Sequence, residues 1–348
     1  MKKTLLFAMM LLSIISVQAV VKVAYITFSK AMDATAGTTL PTTNANDPII
    51  QTLSADPNLA VTVKVLTAVA ATDVIADIAT YDVIIVQESF SSTAGMLTPA
   101  GALALKTIPK PFIYNKNYAL KKSGAFPSTS TSTGVGKEAD GTAAAGTLTI
   151  NVDATALSND LFKACTFVNT NQIKLFNALS SDAGLLGAAT SIKALNYNSG
   201  AALSGGTLLA QPSVLTTGYT TVAVSFSDIP AGTVFDGTET TQARSIFLGM
   251  NYGAICANGG KNITDDCLTI WRNAVYILGG LAVPSTKVTS PITGVKTLNS
   301  SSEITSVDYF NVNGIKVLEP KDFAKGIFVK RTTYNSGLVK SEKVVFVK

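Results

Sequence analysis

Short apolar runs closed by polar residues alternate with apolar stripes at helical spacing over the first third of the chain. The clearest run lies in Tyr81-Asp82-Val83-Ile84-Ile85-Val86-Gln87-Glu88-Ser89-Phe90. Four unbroken apolar residues between polar ends suit a strand buried on both faces, as in a parallel sheet. Val21 to Phe28, Val61 to Leu66 and Pro111 to Tyr114 read as further strands. Between them, Asp47-Pro48 supplies an N-cap and a proline at the first helical position, with Ile49, Ile50 and Leu53 facing inward. Thr72 caps a second predicted helix with a Val74, Ile75, Ile78, Ala79 stripe, and Thr98-Pro99 opens a third through Ile108.

The β-α-β-α-β-α-β succession predicts an α/β fold with a doubly wound parallel sheet. A flavodoxin-like order would set the first strand beside Val83–Val86 and open a crevice beyond their carboxyl ends. The alternation stops at a low-complexity stretch, Ser123 to Gly146. Strand-like pieces then recur at Leu148–Val152, Gln172–Phe176, Ile192–Tyr197, Thr207–Ala210 and Thr221–Phe226, with turns expected at Asn196–Gly200 and Ser204–Gly206. These predict a β-rich insert, about residues 123–240, in a domain spanning 20–283. The α/β pattern returns at Arg244–Tyr252. Thr264 then caps a helix with Asp265 and Asp266 in its first turn, and Gly279-Gly280 ends it.

The two ends of the chain read differently. Lys2 and Lys3, the apolar Leu5–Ile15 and Val17-Gln18-Ala19 have the order of an export signal, predicting a mature chain from about Val20. No later stretch reaches the roughly 20 apolar residues of a membrane-spanning helix. Residues 284–295 read as a Ser/Thr/Pro linker. Residues 296–348 read as hairpins of a small β-sandwich, one of them turning at Asn313-Gly314. From Ser285 onward there are ten Lys or Arg against five Asp or Glu, whereas residues 20–284 carry 15 basic and 17 acidic residues. The basic balance belongs to the ends, and the main domain has no nucleic-acid footprint.

Two resemblances accompany these patterns. Residues 21–117 and 244–280 resemble the class I glutamine amidotransferase-like fold, in particular its secreted ThuA-like branch. The likeness rests on the first strand, Tyr-Asp-Val-Ile-Ile-Val, and the closing Arg-Ser-Ile-Phe-Leu-Gly with Asn-Ala-Val-Tyr-Ile-Leu-Gly-Gly. That family's nucleophile is a cysteine in a glycine-rich elbow. Here Gln87–Phe90 and Asn115-Lys116-Asn117 stand at the elbow positions, so the resemblance implies the fold without the amidotransferase chemistry. Residues 296–348 resemble the type IX secretion C-terminal sorting domain of Bacteroidetes, through the Lys-Gly-Ile-Phe-Val-Lys piece and the terminal Lys-Val-Val-Phe-Val-Lys. This implies passage to the cell surface or medium through outer-membrane secretion machinery.

The chemistry is bounded by absences. The chain has no histidine, which removes Ser-His-Asp and Cys-His catalysis and histidine-ligated metals. Cys165, Cys256 and Cys267 have no metal-site spacing, and in an exported chain Cys256 and Cys267 are the expected disulfide. No cofactor fingerprint is present. The strand-end residues Ser29, Lys30, Gln87, Glu88, Ser89, Asn115, Asn117, Asn251 and Tyr252 form the candidate ligand-binding set. Glu88 is the most interesting carboxylate, as a hydroxyl acceptor or as a general acid. Beside Lys30 or Lys116 it is expected to stay ionised. Three classes stay open: a non-catalytic exported protein binding a polar ligand such as a glycan; a glycan hydrolase pairing Glu88 with Asp140 or Asp153; and an adhesive surface protein without a pocket.

Overall fold

The computed structural model describes residues 20–28, 47–91, 94–116, 137–138, 148–177, 195–199, 205–213, 223–236, 239–256, 260–291, 304–311, 313–317, 326–334 and 339–346. The export signal read in Met1–Ala19 lies outside them. The chain divides into two compact units, Met1–Ile292 and Thr293–Lys348.

The first unit is a mixed α/β structure with one large sheet and few helices. Strand β1 (Val21–Phe28) pairs in parallel with β2 (Leu59–Leu66) on one side and β3 (Val83–Val86) on the other. The first strand therefore does lie beside the central one. Strand β4 (Phe112–Tyr114) pairs in parallel with β3. Strands β5 (Lys137–Glu138), β8 (Asn196–Ser199) and β10 (Ala223–Val224) form a small separate sheet, and β12 (Val234–Asp236) pairs with β13 (Glu239–Thr240). The other insert strands, β6 (Thr149–Val152), β7 (Gln172–Lys174), β9 (Thr207–Pro212) and β11 (Phe226–Ile229), join the main sheet. They do so through β14 (Ser245–Leu248), giving the order β2-β1-β3-β4-β14-β11-β9-β6-β7. β14 runs parallel to β4 and antiparallel to β11. The insert thus continues the sheet. The turn expected at Asn196–Gly200 is instead strand β8, whose backbone pairs with both β5 and β10.

Strands β3 and β14 are buried at all four positions. Both faces of the sheet are covered, as their unbroken apolar runs require. One face packs Val83, Ile85, Ile113, Ile246 and Leu248 with helices α1 (Pro48–Ser54) and α3 (Asp265–Leu278). Between these helices in sequence lies the one-turn α2 (Tyr252–Cys256). The caps read from sequence are present. Asp47 accepts from the amides of Ile49 and Ile50 at 2.9 and 3.2 Å, and Thr264 accepts from that of Cys267 at 3.1 Å.

The other face is covered differently from expectation. Ile84, Val86, Phe112, Tyr114 and Phe247 pack against Met96, Leu97, Leu103, Leu105 and Ile108. The helices predicted from Thr72 and Thr98-Pro99 are replaced by turns and two short 3₁₀ segments, Ile78–Thr80 and Gly95–Leu97. Local side-chain bonds win here. Asp73 Oδ2 accepts from Ala70 N at 2.6 Å, and Thr98 Oγ1 donates to Gly95 O at 2.6 Å. Asp77 takes a left-handed φ of 65°, and Val74 is 85 % exposed. The backbones of 69–71 and 95–96 also touch: Met96 N donates to Val69 O at 2.9 Å, and a Cβ on Gly95 would come within 2.5 Å of Ala71 N. A helix of ordinary diameter does not fit that contact.

The polar stretch from Pro284 is held rather than free as far as Pro291. Arg272 Nη2 donates to Thr286 O (2.7 Å), Val288 N to Thr269 Oγ1 (2.9 Å), Ser290 N to Asp265 Oδ1 (2.8 Å), and Lys287 pairs with Asp266 (2.5 Å). The anchoring side chains all stand on α3.

In the second unit, β15 (Ile304–Phe310), β16 (Lys316–Val317), β17 (Gly326–Tyr334) and β18 (Val339–Phe346) form one antiparallel sheet of order β16-β15-β17-β18. Among the described residues this is a single sheet, where the sequence reading expected a sandwich. The Asn313-Gly314 turn is present. Gly314 has a φ of 76°, and Asn311 Oδ1 accepts from Asn313 N and Ile315 N at 3.0 and 2.9 Å.

Candidate functional site

The carboxyl ends of β1, β3, β4 and β14 meet, and the residues that follow β3, β4 and β14 are tied together by hydrogen bonds. Gln87 follows β3 and is wholly buried. Its Nε2 donates to Tyr25 OH at 2.5 Å, and its Oε1 accepts from Glu88 N at 2.7 Å and from Asn115 Nδ2. Asn115, also wholly buried, follows β4, and its Oδ1 accepts from Met250 N at 2.8 Å. Two amide side chains therefore lock three parallel strand ends in register. Ser89 Oγ accepts from Phe28 N at 2.9 Å and bonds to Thr27 Oγ1 at 2.8 Å, fastening the β3 end to β1.

Beneath this lattice sits Asp47. Besides capping α1, it accepts from Tyr25 OH at 2.6 Å and from Tyr252 OH at 2.7 Å, both on Oδ2. Burial pushes its carboxyl above the ordinary 3.8, and the two tyrosine hydroxyls partly counter this. Tyr25 and Tyr252 are pushed well above 10.0, first by burial and then by Asp47. Four donors fill the four acceptor directions of one carboxylate, which is how an interior carboxylate is made tolerable.

Glu88 is the one acidic group of the lattice at its rim. Oε2 accepts from Tyr252 N at 3.1 Å, and Oε1 forms an ion pair with Lys116 Nζ. Lys116 Nζ also donates to Glu88 O at 3.2 Å. The two side chains keep 12 % and 7 % of their surface exposed. Each carboxylate oxygen retains a lone pair, and the ammonium retains one N–H. An ion-paired carboxylate accepts hydroxyls well. Asn251 is turned to α2, its Oδ1 accepting from Ala254 N at 3.2 Å.

The candidate set thus splits. Glu88 stands at the rim with Lys116 buried beside it, while Gln87, Ser89, Asn115 and Tyr252 form the buried support under them. Ser29, Lys30 and Asn117 lie outside the described residues, as does Asp140. Asp153 caps the 3₁₀ turn Ala154–Ala156 through Thr155 N at 2.9 Å. Sequence reasoning saw Asp47 only as a helix cap and missed its tyrosine partners. The available signal was a tyrosine at an inward position of β1.

The Cys256–Cys267 disulfide expected from the sequence is not formed, and all three cysteines are free. The two thiols face different neighbours. Cys267 Sγ lies 3.4 Å from Met250 Sδ in the core under α3. Cys256, at the end of α2, faces Tyr252 and Asp47. Burial raises its thiol well above 9.0, the Asp47 charge adds to this, and the Tyr252 hydroxyl opposes it. Among the described residues no three acidic or cysteine side chains are grouped to hold a metal ion.

Comparison of the chain with protein-family models, with curated proteins and with solved structures found no match in any of the three.

Proposed function

We propose that the chain is an exported protein whose α/β unit binds a polar extracellular ligand, in the simplest case a glycan, at the Glu88–Lys116 pair, without turning it over. The observation that carries this reading is the state of Glu88. Its carboxylate is paired with Lys116 and held by Tyr252 N, with acceptor capacity left at the rim. A carboxylate and an ammonium side by side offer a vicinal diol both an acceptor and a donor.

In this proposal the parallel strands are a flavodoxin-like core of ThuA-like type that has kept the scaffold and lost the cysteine nucleophile. The strand order β2-β1-β3-β4-β14 supports it. The C-terminal unit is proposed to address the chain to outer-membrane secretion machinery. Support comes from the sequence likeness of its strands and from the division of the chain at Ile292.

The test is a glycan array probed with the mature protein and with Glu88→Gln. Binding weakened at least tenfold by the substitution is the expected result. Glycan hydrolysis that disappears in Glu88→Gln would move the reading to a hydrolase. Absence of binding to every glycan would move it to an adhesive or structural role. In parallel, removal of residues 296–348 should leave the α/β unit folded and retained in the periplasm, and unchanged surface delivery would refute the sorting role.

A further inference from the structure

The amino ends of the strands carry a second feature. Asn58 O accepts from Val21 N at the amino end of β1, at 2.9 Å. An open pocket of about 340 Å³ lies there between the end of α1, the last turns of α3 and the strap Pro284–Pro291. Its size falls at the lower end of small-ligand sites. Its polar lining includes Asp56, Asn58, Arg272 and Tyr276, and Pro57, Pro284, Val288 and Pro291 supply apolar wall.

Arg272 is the unusual group. It is 7 % exposed, yet among the described residues no carboxylate forms an ion pair with it. Its bonds are to neutral oxygens: Nε and Nη2 donate to Asn273 Oδ1 at 3.3 and 3.0 Å, and Nη2 donates to Thr286 O at 2.7 Å. Among the described residues no bond engages the two N–H groups of Nη1. A nearly buried guanidinium without an anion is costly unless something supplies one.

Asp56, in the same pocket, is held in place rather than paired. Its Oδ1 accepts from Asn58 N at 2.9 Å, and both oxygens accept from Tyr276 OH at 2.9 and 2.8 Å. Asn58 Nδ2 in turn donates to that hydroxyl at 2.9 Å. The carboxylate is therefore oriented by two donors, the Asn58 amide and the Tyr276 hydroxyl shared between its oxygens, and keeps lone pairs toward the pocket. The positive and the negative group share one cavity, sense each other's charge, and do not meet.

We propose that this pocket binds a small zwitterion of the α-amino acid class, with its carboxylate on Arg272 Nη1, its ammonium on Asp56, and its side chain against the proline and valine wall. A simple anion would take the guanidinium but meet the repulsion of Asp56. A simple cation would meet the reverse. A ligand carrying both charges satisfies the two groups together. The proposal is independent of the Glu88 reading, since that pair lies at the other end of the strands.

The test is calorimetric titration of the mature full-length protein with glycine, L-leucine and L-proline. N-acetyl-L-leucine and L-leucine amide serve as probes lacking one charge each. Saturable binding of at least one free amino acid is expected, with both single-charge leucine analogues at least tenfold weaker than leucine. Asp56→Asn keeps the acceptor oxygen for Asn58 N and should weaken binding tenfold or more while unfolding at nearly the wild-type midpoint. Arg272→Gln, which can still donate to Thr286 O, should do the same. No saturable heat with any of the three amino acids would overturn the proposal. So would an analogue lacking one charge that binds as tightly as leucine, or an Asp56→Asn protein that is folded and binds normally.

Discussion

Replacing Asp47 by alanine removes a helix cap and two tyrosine partners in one step. The cap is worth about 1 kcal/mol. Tyr25 and Tyr252 each lose a buried acceptor, at roughly 1–3 kcal/mol apiece. Alanine also relieves the desolvation of a carboxylate, which offsets part of the loss. A net cost of about 3 kcal/mol is expected, a large share of the roughly 5–15 kcal/mol that stabilises a domain. Urea unfolding can be followed by the single tryptophan, Trp271, which is wholly buried in α3. The midpoint should fall while the slope stays constant. The sharper test is a double-mutant cycle. Tyr252→Phe removes a hydroxyl that donates to Asp47 at 2.7 Å and should cost about 1–2 kcal/mol in the wild type. With alanine at position 47 that hydroxyl has lost its acceptor, so Tyr252→Phe should cost nothing or stabilise. An equal cost in both backgrounds would show that the carboxylate does not hold the hydroxyl.

Acid dependence should carry opposite signs at two aspartates. The Asp47 carboxyl is raised above 3.8 chiefly by burial, so the folded chain keeps that proton to higher pH than the unfolded chain. Relative to Asp47→Asn, wild-type stability should therefore fall as pH rises from about 3.8 through the raised folded value; a relative gain would contradict the assignment. Asp153 is held below 3.8 by Thr155, and its contribution should instead be lost as pH falls through its folded value, read as a narrowing gap to Asp153→Asn. Among the described residues the buried hydroxyl of Tyr114 has no hydrogen-bond partner, so Tyr114→Phe should leave the melting temperature unchanged or raise it by a few degrees, and a clear drop would reveal a hidden partner. Burial pushes the Cys165 thiol up to about 12 and those of Cys256 and Cys267 well above 9.0, so none should alkylate at pH 8 in the native state and all three should in denaturant. A Cys256–Cys267 peptide in non-reduced mass spectra would overturn this.

The parallel strands were legible because an apolar run closed by polar residues has few other uses. Val83–Val86, Phe112–Tyr114 and Ser245–Leu248 all announced themselves this way. The turn-rich cover of the second face was not legible. An apolar spacing such as Val74, Ile75, Ile78 fits a helix stripe, but only Ile75 is buried, and the backbone contact at Gly95 that excludes the helix is tertiary. Glu88 was found because it follows the clearest strand, and its tie to Lys116 was among the pairings foreseen. The Asp47 cluster escaped notice because residues 25, 47 and 252 are joined only by the closed sheet. The docking of 284–291 did leave a trace. Asp265, Thr269 and Arg272 make a polar stripe at helical spacing on α3, and that stripe anchors the strap.

The position of β14 has a consequence for how the molecule is made. β4 ends at Tyr114, and the strand that covers its far edge begins at Ser245. Until that later segment emerges, Phe112-Ile113-Tyr114 is an unprotected apolar sheet edge, the kind that recruits other chains. The pairing also closes a very long loop, a slow step with high contact order. A chain arrested after residue 116 should therefore aggregate rather than fold. If the chain is exported as proposed above, the safe course is to cross the membrane unfolded and close the sheet only after the last strand has arrived.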